Sequence, residues 1–161
     1  MNIRLRFILL LCPAILCMCG IFLLSSETAE ESSQTSGTVI HEVLTKISEE
    51  YVKSSPAEKK SIIESLQFFI RKGTHFSIYT LLAVLFYLPF SQCSFRTKTK
   101  YFFSFSYTVL YAISDEVHQT FVPGRSGELR DVFIDSCGAL TGLLLVYFCI
   151  SIYKYIRKKY G

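Results

Sequence analysis

Basic, acidic, imidazole and amide side chains cluster in three short stretches of the sequence. Their members are Lys72, His75, Asp115, Glu116, His118, Gln119, Arg125, Asp131 and Asp135. Histidines exchange protons near neutral pH, and a guanidinium binds phosphate or carboxylate through charge-assisted hydrogen bonds. These residue types, if brought together, would suit proton transfer or the binding of an anionic group. Whether they meet depends on the elements that carry them.

Long apolar segments surround these stretches. Half of the chain is hydrophobic (50%), 19% is charged and the mean hydropathy is +0.36, which is too apolar for a soluble domain of this size. About 20 residues, rising roughly 1.5 Å each, cross the roughly 30 Å of hydrocarbon in a bilayer. We therefore predict an all-α, polytopic membrane protein, a single domain over residues 1–161, with about four spans. The spans are placed at about residues 7–26, 76–95, 101–121 and 132–153.

The first apolar segment has an alternative interpretation as a cleaved signal peptide, because Arg4 and Arg6 give it a basic start. However, the segment is long for a signal sequence. Ser25, Ser26 and the residues that follow them make a mediocre cleavage site. A membrane span is therefore the favoured interpretation.

Basic residues predict the orientation. The net charge of +4 comes from clusters that flank the spans: Arg4, Arg6, Arg96, Lys98, Lys100, Lys154, Arg157, Lys158 and Lys159. With four spans, all these clusters fall on one side, and lysine and arginine concentrate on the cytoplasmic side. Both termini are therefore predicted to be cytoplasmic. The basic charge indicates topology, and no nucleic-acid partner is expected.

Residues 27–72 are then external. The stretch 25–37, rich in serine, threonine and glutamate, is predicted to be a flexible linker. Apolar residues at helical spacing over 39–51 predict an amphipathic surface helix. Ser54, Ser55 and Pro56 are typical of a helix start, and a second such helix is predicted to run from there towards the second span.

Helical spacing places the polar residues in rows, because residues three or four apart share a face. The rows are Lys72, His75 and Tyr79; Ala112, Glu116 and Gln119; and Asp131, Asp135, Gly138 and Gly142. Three helices can therefore direct polar groups into one pocket at the external face. The two glycines would let the last helix approach its neighbours closely.

Charges within a span are costly unless they pair, face the bundle interior or meet water. Lys72 or Arg125 could neutralise the nearby carboxylates. One interpretation is purely structural, with ion pairs and caps that hold the helices together, and Asp131 suits the N-terminal turn of the last helix. The other is a binding or reaction site, in which the turn at residues 122–127 presents Arg125 and backbone N–H groups to a phosphate.

Metals and cofactors are not expected. The six cysteines lie within or at the ends of the apolar segments and lack paired C-x-x-C spacing, so neither a disulfide framework nor a zinc site is predicted. His75, His118 and Glu116 could form a metal site only if the helices packed in one particular order.

Residues 71–79, 114–125 and 131–138 together resemble the VanZ-like family of bacterial membrane proteins. The middle motif is Asp-Glu, then His-Gln, then Pro-Gly-Arg, and an Asp-x-x-x-Asp start to the next helix follows. Ser25 and Ser26 also resemble that family, and the similarity is weakest over residues 27–66. The resemblance implies a bacterial cytoplasmic membrane protein. The family takes its name from a protein associated with resistance to teicoplanin-type glycopeptides.

The leading hypothesis is a cell-envelope protein that uses the nine polar residues to bind an anionic lipid or lipid-linked wall-precursor head group, and so affects glycopeptide susceptibility. A second is a membrane-embedded lipid-phosphate hydrolase or transferase with His75 or Glu116 as general base and Arg125 beside the phosphate. No G-x-S-x-G, H-E-x-x-H or P-loop supports an enzyme. A third is a scaffold whose external helices dock onto another envelope protein.

Overall fold

The computed structural model describes residues 2–160, and six helices account for most of them. They are α1 (Ile3–Ser25), α2 (Ala29–Ile47), α3 (Glu49–Lys53), α4 (Pro56–Ser91), α5 (Thr97–Gln119) and α6 (Leu129–Tyr160). No strand occurs among the described residues. The prediction of an all-α chain is confirmed.

Side-chain caps set two of the helix starts. Ser55 caps α4 in a reciprocal hydrogen-bonded box with Glu58, and Pro56 occupies the first turn, where its missing N–H costs nothing. Thr28 and Glu31 form the same box at the start of α2. The start predicted at residues 54–56 is confirmed, and α4 continues from there without a break into the predicted second span.

The prediction of a flexible linker up to residue 37 is wrong, because residues 29–47 are helical. Besides the capping box, a tertiary contact holds this segment. Gln67 of α4 donates through Nε2 to the carbonyl of Ser33 at 2.7 Å and to Ser36 Oγ at 3.0 Å. A partner on another helix thus stabilises a sequence whose composition alone favours disorder.

The predicted helix over residues 39–51 is interrupted at Ser48, which ends α2 and caps α3. The short α3 turns Tyr51 back towards α2, where its hydroxyl lies 2.6 Å from His41 Nδ1. Ile40 and Tyr51 are buried, whereas Val39 remains exposed.

Three helices are long and apolar enough to cross a membrane, namely α1, α4 and α6. They carry three of the four predicted spans. The remaining predicted span coincides with α5, which has 23 residues but many serine, threonine and tyrosine side chains. Helix α4 packs against α1, α2, α5 and α6 and is therefore the centre of the bundle.

Helices α4 and α6 approach each other closely. A Cβ atom added to Gly138 would collide with the Phe76 carbonyl, and one added to Gly142 would collide with that of Thr80. Thr80 Oγ1 also donates to the Gly138 carbonyl at 2.9 Å. The predicted close approach of the last helix at these glycines is confirmed, and it brings the polar rows of α4 and α6 together.

Candidate functional site

The ends of three helices carry most of the polar residues predicted to act together. Helix α4 contributes Lys72 and His75, α5 ends with Asp115, Glu116 and Gln119, and α6 begins with Asp131 and Asp135. Both aspartates and Glu116 are buried, as are Asp115 and Gln119. The three predicted rows therefore face the bundle interior at one end of the molecule. We call this end the polar end.

Lys72 and Asp131 form an ion pair between α4 and α6. Their side chains are only 15% and 10% exposed, so the pair is largely shielded from solvent. Glu128, just before α6, lies 3.8 Å from the same ammonium group. Asp131 is also in the first turn of α6, where the helix dipole favours a carboxylate. Lys72 therefore pairs with Asp131, one of the two α6 carboxylates among the predicted site residues.

His75 faces the other carboxylate of α6. Its Nδ1 lies 3.5 Å from Asp135 Oδ1, at the outer limit for a hydrogen bond. Asp135 is completely buried, and neither of its carboxylate oxygens has a hydrogen-bond partner within the described chain. Buried polar atoms are usually paired, so this carboxylate is an exception.

Two carboxylates of α5 are held by hydrogen bonds. Glu116 Oε2 accepts the backbone N–H of Glu128 at 2.9 Å. Asp115 Oδ2 accepts the Tyr79 hydroxyl at 3.3 Å and an N–H from Gln119 Nε2, also at 3.3 Å. The Gln119 amide nitrogen lies 3.5 Å from Glu116 Oε1 as well. Gln119 therefore links the two neighbouring acids.

The polar end carries more negative than positive charge. Within residues 2–160, no lysine or arginine pairs with Asp115, Glu116 or Asp135. One imidazole nitrogen of His75, one carboxylate oxygen of Glu116 and one of Asp135 lie within 4.8 Å of one another. A proton or a cation at this place would compensate the excess charge.

His118 and Arg125 lie apart from these acids and face α1. His118 Nε2 is 3.1 Å from Ser26 Oγ, and its ring stacks on Phe22 with centroids 4.4 Å apart. Arg125 donates through Nη2 to the Leu24 carbonyl at 3.2 Å. Within residues 2–160 Arg125 therefore forms no ion pair with the carboxylates, although Asp115 and Glu116 still act on it electrostatically, and His118 does not join His75 and Glu116. Sequence spacing could not decide which neighbour each side chain would face.

A cavity of about 200 Å³ opens beside the polar end, between α1, α2 and α4. Its charged and imidazole side chains are Glu27, Arg71, His75 and Arg125. Apolar side chains form much of the remaining wall: Ile21, Leu24, Ile70 and Ile78. The cavity therefore combines a cationic region with an apolar lining.

Arg71, Glu27 and Gln67 line the cavity but were not among the predicted site residues. A signal for Arg71 was available, since it lies four residues before His75 and so shares its helical face. Glu27 and Gln67 gave no comparable signal, because their positions depend on how α1 and α2 meet α4.

A tight turn positions Arg125. Gly124 adopts φ = 76°, a conformation that glycine reaches without strain, and the Pro123 carbonyl accepts the backbone N–H of Ala29 at 3.3 Å. The turn predicted at residues 122–127 is thus present and is tied to α2. Arg125 Nε is buried and has no hydrogen-bond partner in the described part of the chain.

Burial and the nearby Arg71 guanidinium lower the pKa of Arg125 from its ordinary value. Because a guanidinium stays charged even so, the cavity holds two cations that repel each other. An anion between them would relieve this repulsion and could occupy the free Nε donor of Arg125.

Comparison with protein families gives a match. Residues 10–150 match the family described as VanZ/LLP1. No curated protein and no solved structure matches the chain. The matched residues include all three motifs that meet at the polar end, and they cover most of the chain. The protein therefore belongs to the VanZ/LLP1 family, the VanZ-like family that its motifs resemble.

Proposed function

We propose that α5 joins α1, α4 and α6 as a fourth membrane span. Its polar residues Ser104 and Thr108 are fully buried, and each donates at 2.8 Å to a carbonyl of its own helix. Its opposite side exposes Phe102, Leu110 and Val117, among other apolar residues. A span in contact with lipid has this distribution, because its polar groups must be satisfied inside the bundle.

Both termini of the proposed bundle face the cytoplasm. Phe7 of α1 packs on Phe90 of α4 at 6.1 Å, and Lys100 of α5 donates to the Ser91 carbonyl at 2.9 Å, so the first two basic clusters share one end. Helix α6 runs parallel to α4, which brings the C-terminal cluster to the same end. The positive-inside tendency makes that end cytoplasmic. The polar end then lies at the outer face of the bacterial cytoplasmic membrane. Helix α4, with 36 residues, is about 54 Å long and extends beyond the hydrocarbon.

The function proposed for this site is the binding of an anionic lipid or lipid-linked wall-precursor head group. The cavity carries the proposal, because it places the free donor of Arg125 and the exposed Arg71 beside an apolar wall. Arginines bind phosphate through charge-assisted hydrogen bonds, and an apolar wall accommodates the adjoining chain. Glu27 on the same cavity would disfavour a second negative group and so limit the charge of the ligand.

Lipid binding to the purified full-length protein tests this proposal. Dioctanoyl phosphatidylglycerol, the zwitterionic phosphatidylcholine of the same chain length and a polyprenyl phosphate would be compared by native mass spectrometry. Both anionic probes should bind more tightly than phosphatidylcholine. Arg125→Ala should weaken their binding by about tenfold or more, because a hydrogen bond to a charged group contributes about 1.5–3 kcal/mol.

Arg130→Ala is the matched control. Arg130 lies near the site but stacks over Phe68 at 5.4 Å and does not line the cavity. It should bind the anionic probes as the wild type does. Equal binding of anionic and zwitterionic lipids, or equal losses in the two arginine variants, would contradict the proposal. A preference for polyprenyl phosphate over phosphatidylglycerol would identify a wall-precursor carrier as the ligand class.

An effect on glycopeptide susceptibility follows from this binding. Cells that express the wild type should tolerate more teicoplanin than cells that express Arg125→Ala or Glu116→Ala at matched membrane levels. Protection that persists in Arg125→Ala would exclude the cavity as its cause, and protection that persists in both variants would exclude the polar end as well. It would favour the scaffold hypothesis, for which α2 offers the exposed apolar residues Val39, Val43 and Ile47.

Lipid-phosphate hydrolysis is the second candidate function. His75 lines the cavity, and its Nδ1 faces Asp135, an arrangement in which a carboxylate orients an imidazole for proton transfer. Release of inorganic phosphate from the polyprenyl phosphate, abolished by His75→Gln, would establish this activity. Binding without phosphate release would contradict hydrolysis and support head-group binding only.

A further inference from the structure

We propose that His75, Glu116 and Asp135 together bind one divalent transition-metal ion of the Zn²⁺ or Mn²⁺ type. One possible ligand atom from each residue lies within 4.8 Å of the other two. The three residues come from α4, α5 and α6, so a bound ion would connect the helices that form the polar end.

The distances suit a small cation. Two ligand atoms at about 2.1 Å from a tetrahedral ion are about 3.4 Å apart. The 3.5 Å between His75 Nδ1 and Asp135 Oδ1 matches this separation. The third ligand atom, from Glu116, would need to move inward by on the order of 1 Å, which side-chain torsions can provide.

Asp135 provides an independent reason to expect a ligand. Its side chain is 0% exposed, and both carboxylate oxygens lack hydrogen-bond partners among residues 2–160. His75 Nδ1, which faces it, also has none. A buried carboxylate without hydrogen bonds is costly, and buried charges are found paired or coordinating metals.

Neighbouring groups hold the proposed ligands in the manner of an outer coordination shell. Glu116 Oε2 accepts the Glu128 backbone N–H at 2.9 Å, and Gln119 lies beside Oε1. Such contacts orient ligating carboxylates and raise metal affinity. Lys72 is already paired with Asp131, and this pair keeps its ammonium group away from the proposed ligands.

The donor set indicates which metals would bind. Imidazole suits zinc and iron, carboxylates suit manganese and magnesium, and a mixed set favours Zn²⁺ or Mn²⁺ over Ca²⁺. From the sequence no metal was expected, because the trio considered there, His75, His118 and Glu116, required one particular packing order of the helices. This proposal does not depend on head-group binding, although His75 also lines the cavity.

Titration with Co²⁺, a spectroscopic substitute for Zn²⁺, tests the site in full-length protein that has been stripped with a chelator and kept in detergent. One equivalent should bind and give the visible absorption of a low-symmetry site. His75→Gln, Glu116→Gln and Asp135→Asn should each weaken binding by about tenfold or more. His118→Gln and Glu128→Gln, which change a nearby imidazole and a nearby carboxylate, should bind as the wild type does.

Zn-edge X-ray absorption of the wild type provides a second measurement that needs no variant to fold. Nitrogen and oxygen ligands including one imidazole are expected. Sulfur ligands would assign the metal to the cysteines and overturn the proposal. So would a wild type that binds neither Co²⁺ nor Zn²⁺, or binding that survives His75→Gln and Asp135→Asn but is lost in His118→Gln.

Discussion

The same three helices, α4, α5 and α6, pack in different ways at the two ends of the bundle. The cytoplasmic end in the proposed topology, which we call the aromatic end, pairs rings: Tyr87 with Tyr101 at 4.8 Å, and Phe90 with Phe103 and Tyr107 at 5.7 Å each. The polar end brings together His75, buried carboxylates and the Lys72–Asp131 ion pair. One end consists of apolar contacts, and the other gathers charged and polar groups.

The aromatic end shows that these helices can pack without buried charges. Ionisable groups inside a membrane are costly, and a buried ion pair often contributes no more to stability than apolar residues of similar volume. Helix packing therefore does not explain why three carboxylates of the polar end, among residues 2–160, lack a lysine or arginine partner. This contrast supports a ligand-binding function for that end.

The largest expected effect on stability comes from loss of the buried Lys72–Asp131 ion pair. Lys72→Ala should lower the free energy of unfolding by about 3 kcal/mol, because it leaves Asp131 charged and buried. Reversible unfolding in mixed detergent micelles would measure this change. Replacing both partners, as Lys72→Met with Asp131→Leu, should recover most of the stability.

Lys53→Ala is the control for that experiment, since Lys53 and Glu49 form an ion pair that is 79% and 94% exposed. It should change stability by about 0.5 kcal/mol or less. A double variant as unstable as Lys72→Ala would show that the charges themselves hold the polar end together. They would then need no ligand to explain them.

Gly138→Ala should cost about 1–3 kcal/mol, because the new methyl group would collide with the backbone of Phe76. The same variant should also bind the proposed metal more weakly, because α6 would be displaced from His75. Gly73→Ala on α4 is the control, because a Cβ there meets no atom within 4 Å. Thermal unfolding of both variants in detergent compares them. Equal stabilities would show that α6 can move away from α4 at little cost.

At the aromatic end, Tyr87→Leu should lower stability by about 1 kcal/mol through loss of its contact with the Tyr101 ring. Lipid and metal binding at the polar end should stay at wild-type levels. Tyr155→Leu alters an exposed ring and gives the background change in stability expected for such a replacement. Reduced head-group binding in Tyr87→Leu would mean that the two ends are coupled rather than independent.

The most local effect concerns α2, which lines one side of the cavity. Thr28→Ala should destabilise the first turn of α2 by about 1 kcal/mol, since it removes one side of the capping box. Hydrogen exchange of the first α2 amides would detect the loss. Ser33→Ala, which changes a nearby exposed serine that is not the cap, should leave this exchange unchanged.

The same turn should respond to pH. Hydrogen bonds from Thr28 lower the pKa of Glu31 below its ordinary value of 4.5. The capping contribution is therefore complete above pH 4.5 and is lost as the pH falls through the lowered pKa. Exchange of the α2 amides should quicken over that range in the wild type but not in Thr28→Ala.

Local patterns predicted the helices and the faces that they bury. The caps at Ser55 and Pro56, the small residues Gly138 and Gly142, and the rows that carry Glu116 and Asp135 are matters of spacing along one helix. Such spacing is fixed by the 3.6-residue repeat, so the sequence alone revealed it. The linker at residues 25–37 was mispredicted because its helix depends partly on Gln67 of α4.

By itself, the sequence determined the helical class, the apolar segments, the family and the set of polar residues. The tertiary structure decided their partners. Arg125 and His118 turn towards α1, Lys72 pairs with Asp131, and Asp135 faces His75. Pairing between helices depends on the order, rotation and depth of their packing. These quantities are set by contacts among residues distant in the chain, so the periodicity of a single helix cannot predict them.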